Sequence, residues 1–251
     1  MSDAAVLGET ELQIVDKKLK DVNVTYHKLW HDQVNPDQEV LQLIAELRQP
    51  YVSKLEEKVG ESKDEIGRQY KSESPFDKLV GNMLLAGYKG EVAMLPGVGY
   101  GITLKEGPIT SEDVYKLLPH PSKIATLTMT GAQLKQTLEQ SAKNLRPDNK
   151  LNAVGGLIQT AGIKYEMDLT KPIGQRISNV RIGNTPVSDS KSYKVVTHAG
   201  MMTGLHNYDE IGKGKNVNKT DKLLTEFVIE QIKSKGQIEM PKNMGEVVIK
   251  K

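Results

Sequence analysis

Residues 104–144 read LKEGPITSEDVYKLLPHPSKIATLTMTGAQLKQTLEQSAKN, and this stretch decides the fold. It opens on a turn, Lys105-Glu106-Gly107-Pro108. Thr110 followed by Ser111, Glu112 and Asp113 predicts a helix start, because a hydroxyl cap and early acids answer unpaired N–H groups and the positive end of the dipole. The short helix runs to Leu118. Pro119-His120-Pro121 ends it, since proline lacks a donor and disfavours helix in the residue before it. Ile124 to Met129 alternates at period two, as a half-buried strand does. Thr130-Gly131 then turns into a helix with Leu134, Leu138 and Ala142 on one face.

The motifs Leu117-Leu118-Pro119-His120, Thr130-Gly131-Ala132-Gln133-Leu134-Lys135 and Leu138-Glu139 are similar to the C-terminal domain of the 5′-nucleotidase family. Its further signatures follow in order at Gln159 to Tyr165, Gly174-Gln175-Arg176-Ile177, Tyr193 to Thr197 and Gly204-Leu205-His206-Asn207-Tyr208. The resemblance covers residues from about 50 to 251. It implies a layered α/β/β/α domain of the α+β class, preceded by a hairpin and a long linker helix. The residues agree on the class, because strands and helices mix without regular βαβ alternation.

Upstream, Glu11–Val15 and Asp21–Tyr26 alternate around Asp16-Lys17-Lys18 and predict a β-hairpin. By resemblance, residues 1–34 correspond to the end of a metallophosphoesterase domain, 35–68 to the linker helix and 69–251 to the substrate-binding domain. On that reading the chain begins inside a larger enzyme. Apolar residues from Val40 to Val59 fall at helical spacing, so a helix from Gln38 to about Gly60, bent at Pro50, is expected. Ser74-Pro75-Phe76-Asp77 starts another helix. Glu91–Leu95 reads as a buried strand entering Pro96-Gly97-Val98-Gly99-Tyr100-Gly101, whose glycines allow close backbone approach. Downstream, strands are expected at Leu157–Thr160, Ile163–Met167, Ile177–Ile182 and Tyr193–Thr197. A loop is expected from Ala199 to Thr220, then a helix capped by Asp221 and stopped by Gly236.

Composition narrows the function classes. The 34 basic and 32 acidic residues are interspersed, which gives no one-sign field to steer nucleic acid. Two Phe and one Trp make a poor stacking platform for single strands. Cysteine is absent, so disulfides and thiolate chemistry are excluded. No apolar run reaches the roughly 20 residues that span a bilayer. Met1-Ser2-Asp3-Ala4 lacks the pattern of a secretory signal; the resemblance nonetheless implies a periplasmic location, with a removed signal.

The five histidines, His27, His31, His120, His198 and His206, form no pattern of metal ligands and are expected to face solvent or to pack. No cofactor is therefore expected in this chain. The resemblance implies Mn or Zn in a separate metallophosphoesterase domain, upstream or in trans, that supplies the catalytic centre. It also implies a substrate site here, at Gly99, Tyr100, Gly101, His120, His206, Asn207 and Tyr208. The sequence departs from the family there: Gly99 or Gly101 replaces the anion-binding arginine, while His120 and Gly200 replace two base-stacking aromatics. Residues 96–101 with Thr103 also resemble the corresponding loop of the sulfur-oxidation thiosulfohydrolases, which implies a sulfur-carrier protein as partner. A non-catalytic module binding a carrier protein or a small anion is the alternative. Tyr100, between two glycines, either exposes its ring or packs in the core. Gly204–Tyr208 with Lys213 and Lys215 reads as a mobile lid or as solvated loop, and Arg176 and Arg181 as strand-edge charges.

Overall fold

A computed structural model describes residues 6–30 and 32–251; the expectations for His31 and for Met1 to Ala4 lie outside the described residues. The chain divides into two compact units, Met1–Ser53 and Lys54–Lys251.

In the first unit, β1 (Val6–Val15) and β2 (Lys18–Lys28) form the expected antiparallel hairpin. Asp16 and Lys17 connect them with φ of 50° and 61°, the paired left-handed geometry that matches strand twist. Partners Leu12 and Val22, with Thr10 and Val24, share one side; Glu9, Glu11, Asn23 and His27 share the other. His27 pairs with Glu9 at 2.8 Å. Helix α1 (Gln38–Arg48) is capped by the Asp37 carboxylate, which accepts from the Glu39 and Val40 amides. No residue of α1 is buried.

The helix expected to reach Gly60 stops earlier. Pro50 forces a 3₁₀ turn over Gln49–Tyr51, α2 (Val52–Leu55) follows, and Lys58–Ser62 is strand β3. Val59 is buried there, and Gly60 lies so close to the helix Leu224–Lys235 that a Cβ would stand 2.7 Å from Ile232. Tertiary pairing overrides the helical spacing. The second compact unit begins at Lys54.

Its remaining elements are α3 (Pro75–Tyr88), β4 (Val92–Leu95), β5 (Gly107–Thr110), α4 (Ser111–Leu117), β6 (Lys123–Thr130), α5 (Gly131–Leu145), β7 (Gln159–Ala161), β8 (Ile163–Asp168), β9 (Ile177–Ile182), β10 (Thr185–Pro186), β11 (Ser192–His198), α6 (Asp209–Gly212), β12 (Lys215–Leu223), α7 (Leu224–Lys235), β13 (Gln237–Ile238) and β14 (Val247–Lys250). Thr110 with Asp113, and Thr130 with Gln133, form reciprocal capping boxes at α4 and α5, so both helices start where the sequence places them, while Gly107 and Pro108 of the expected turn belong to β5 and pair with Ser62 and Glu61.

The central sheet has the order β12-β6-β11-β4-β7, beside a four-stranded sheet β10-β9-β8-β14 and a three-stranded sheet β13-β3-β5. Alternate residues of β4 and β11 feed two cores. Ala93, Leu95 and Val196 pack with α3, α4 and α7; Val92, Met94 and Val195 pack with α5 and with Tyr165 and Met167 of β8. The central sheet is thus buried on both faces, and the fold is α+β.

Three local expectations are corrected. Residues 199–220 contain two 3₁₀ turns, α6 and most of edge strand β12 rather than one loop. Asp221 lies in that strand and pairs with Lys123 at 2.8 Å, and α7 starts at Leu224 without a side-chain cap. Arg176 is buried and donates to the Ala142 and Arg146 carbonyls at the end of α5, where a cation meets unpaired carbonyls.

Candidate functional site

Strands β4 and β11 run parallel and end side by side, and antiparallel β6 starts against the end of β11, with His198 opposite Ile124. A cavity of about 340 Å³ opens at this end of the sheet. Leu95, Pro96, Val98 and Tyr100 wall it from the strand–loop after β4, Leu118, Pro119, His120 and Ser122 from the turn before β6, and His198, Gly200, Thr203, Leu205 and His206 from the end of β11 and the segment after it. Arg68, Asp77 and Leu224 complete the wall. The position agrees with the crevice beyond strand ends where ligands gather.

Of the residues expected at the site, Tyr100, His120 and His206 line this cavity; Gly99, Gly101, Asn207 and Tyr208 do not. Tyr208 is fully buried in the second core. The glycine loop approaches the protein's own backbone: a Cβ at Gly97 would lie 2.0 Å from the Leu157 carbonyl oxygen, and Gly101 has φ +103°, a conformation favouring glycine. Lys213 pairs with Glu210 at 2.6 Å and does not line the cavity.

Arg68 and His198 join the site without having been singled out as site residues from the sequence. Arg68, within the stretch 35–68 expected as linker helix, follows β3 instead. Its Nε and Nη2 donate to both oxygens of Asp77 at 3.0 and 2.5 Å, and its Nη1 donates to the Leu117 carbonyl at 2.7 Å. Its side chain is only 4% exposed. The guanidinium lies 5.9 Å from the Phe76 ring centre and 5.4 Å from that of Tyr100, within cation–π range. Tyr100 in turn meets His120 edge-on at 5.7 Å. Burial raises the Tyr100 hydroxyl above its ordinary pKa, partly offset by Arg68. A better signal for the pair was the capped helix start Ser74-Pro75-Phe76-Asp77, whose buried acid needs a cation.

Three histidines reach the one cavity: exposed His120, half-buried His206 and buried His198. Among the described residues, no group of three or more His, Asp or Glu is arranged to hold a metal ion, so these residues do not fit the Mn or Zn the family implies. Burial, then the Arg68 charge, pushes the His198 imidazole down to about 4. Burial lowers His206 as well. An unfolded chain takes up a proton at His198 near pH 6.5, whereas the folded protein resists until about pH 4. The stability held above pH 6.5 is therefore lost as pH falls toward 4, by about 3 kcal/mol. Urea titrations across this window are expected to show His198→Gln with a shallower acid loss than the parent; parallel curves would assign the loss to other groups.

A family model described as 5′-nucleotidase, C-terminal domain matches residues 58–212. The trifunctional nucleotide phosphoesterase YfkN of Bacillus subtilis is 27% identical over 164 residues, covering 62% of this chain and 11% of that protein. The NAD 5′-nucleotidase of Haemophilus influenzae is 32% identical over 114 residues, covering 43% and 18%. The chain thus spans less than a fifth of either relative's length. Among solved structures, a 5′-nucleotidase precursor from Thermus thermophilus superposes with a TM-score of 0.83 at 20% identity, over 98% of this chain and 50% of its own. The sulfate thiohydrolase SoxB of the same organism gives 0.80 at 20% identity, over 98% and 44%.

Proposed function

Because the chain belongs to the 5′-nucleotidase C-terminal domain family, we propose that it is the substrate-binding part of a di-metal hydrolase of the 5′-nucleotidase or thiosulfohydrolase type. Its cavity holds the non-reacting portion of the substrate, a nucleoside in the first reading. A metallophosphoesterase domain, in the same polypeptide or in trans, carries Mn or Zn and the hydrolytic water. The carrying observation is the cavity at the ends of β4 and β11, with apolar walls and few polar edges, the constitution of a small-molecule site. Binding energy gathered here, away from the scissile bond, positions the substrate for reaction elsewhere.

The uncovered apolar side chains of the first unit support a macromolecular partner. Leu12, Ile14, Val22 and Tyr26 on the hairpin, and Leu43 and Leu47 on α1, are all more than 40% exposed. Clusters of this kind mark interaction sites. We assign the partner as the metallophosphoesterase domain, with the periplasm as location following the family resemblance. No helix among the described residues is long and apolar enough to cross a membrane.

A second reading replaces the nucleoside with the arm of a sulfur-carrier protein. His120 and Gly200 at the cavity, where stacking aromatics are expected, favour it.

Calorimetric titration of the chain with adenosine and uridine tests the first reading. Saturable binding that Leu205→Trp abolishes is the expected result; no heat with either nucleoside transfers the cavity to the carrier reading. Hydrolysis of AMP by this chain without an added domain overturns the division of labour in both.

A further inference from the structure

Resting on the nucleoside reading above, we infer that Tyr70 is a positioning residue of the cavity: standing outside its wall, it fixes the two glycine turns, 97–101 and 155–157, that hold Val98, Tyr100 and His206 in place. Tyr70 is 41% exposed and does not line the cavity. Its hydroxyl donates to the Gly155 carbonyl at 2.6 Å, and its own carbonyl accepts from the Leu157 amide at 2.8 Å. The residue thus grips one turn with both its side chain and its backbone.

Glycine makes the grip possible. A Cβ at Gly156 would lie 2.0 Å from the Tyr70 carbonyl oxygen and 2.7 Å from Cδ2 of its ring, and one at Gly99 would lie 2.9 Å from the Tyr70 Cβ. Tyr70 therefore rests on both turns at once, at positions where a larger residue would push it away. The turns are tied to each other as well, because the Gly156 amide donates to the Gly97 carbonyl at 3.0 Å. Gly99 stands between Val98 and Tyr100. Gly155, with φ +64°, packs so closely against His206 that a Cβ would come within 2.5 Å of its Nδ1. Val98, Tyr100 and His206 all line the cavity, so a displacement of Tyr70 reaches the wall from two sides.

The clamp is itself anchored. Ile66 exchanges two backbone hydrogen bonds with Leu104, at 3.0 and 2.9 Å, and Arg68 is held by Asp77 and the Leu117 carbonyl. On the other side, the buried Gln159 side chain donates to the Ser72 carbonyl at 3.0 Å and accepts from the Ser74 amide at 2.8 Å. Tyr70 sits between these fixed points. Its contacts therefore impose order on the glycine turns, as supporting residues do when they keep a binding site within the narrow tolerance that affinity requires. Walls ordered in advance cost a ligand less free energy on binding.

The test uses the full chain and adenosine as probe. Tyr70→Phe keeps the ring on Gly156 and removes only the bond to Gly155. It is expected to weaken adenosine binding about fivefold, in keeping with one hydrogen bond, and to speed amide exchange at Gly156 and Leu157 while β6 and β11 keep the parent rate. Tyr70→Ala, which also removes the ring, is expected to weaken binding further. In the unmodified protein, saturating adenosine is expected to slow exchange at Gly156 and Leu157, which lie outside the cavity wall. Parent-like affinity in Tyr70→Phe, or exchange at these two amides that adenosine leaves unaltered, overturns the role of Tyr70 and leaves the nucleoside reading standing. Equal acceleration across β6 and β11 makes Tyr70 a source of general stability and overturns the inference as well. Failure of adenosine and uridine alike to bind the parent overturns the nucleoside reading and, with it, this inference. Exchange is measured on the unmodified protein too, so a variant that does not fold leaves the test decisive.

Discussion

Arg68→Ala is expected to destabilise the protein by about 3–5 kcal/mol, the cost of leaving one partner of a buried ion pair uncompensated. Asp77 is 1% exposed on its side chain and already accepts from the Ser74 hydroxyl at 2.5 Å, so removing the guanidinium leaves a buried carboxylate without its cation. The same change removes the cation seated between the Phe76 and Tyr100 rings and frees the Leu117 carbonyl. At roughly 2–4 °C per kcal/mol for a chain of this size, the melting temperature is expected to fall by about 10 °C. The double variant Arg68→Met/Asp77→Leu is expected to be more stable than Arg68→Ala, because it removes both charges together. Urea denaturation of the three proteins checks the order; a double variant less stable than the single one would refute the account.

Lys78→Met is expected to cost a similar amount and to act at the far end of the sequence. Nζ of Lys78, with its side chain 2% exposed, pairs with Glu73 at 2.9 Å and Glu246 at 3.0 Å. Glu73 also accepts from the Gly245 amide at 2.6 Å, and Asn243 donates to Glu246 at 3.3 Å. This knot ties α3 to the segment leading into β14, which pairs in parallel with β8 from Val247 to Lys250. Methionine fills the lysine's volume but leaves two carboxylates without a cation in a low-dielectric setting, for about 3–5 kcal/mol. Amide exchange at 247–250 is expected to accelerate in the variant before the central sheet does. Unaltered exchange there would place the stabilising role of Lys78 elsewhere.

The sequence discloses what short-range chemistry dictates. Thr110 and Thr130 each stand three residues before a side chain that reaches back, so their helices are legible from spacing alone. The hairpin is legible because alternation and a two-residue turn are local. Val59 is not, since its helical spacing yields to β3 pairing with β5 and β13. The candidate site divides along the same line. Tyr100, His120 and His206 come from loops whose composition draws attention; Arg68 and His198 acquire meaning only when β11 ends beside a residue 130 positions earlier in the chain. Tyr208 carries the opposite lesson, because a family signature placed it at the site while its ring went into the core beneath.

The cavity wall is drawn from positions as far apart as 68 and 224, and this has a practical corollary. A fragment that lacks either end of this span loses part of the wall, so an occupant favours the folded unit over forms in which those segments have separated. A compound at one hundred times its dissociation constant adds about 2.7 kcal/mol to that preference. Simple melting curves collected against a library of nucleosides and sulfur compounds therefore rank candidate substrates before any turnover assay exists.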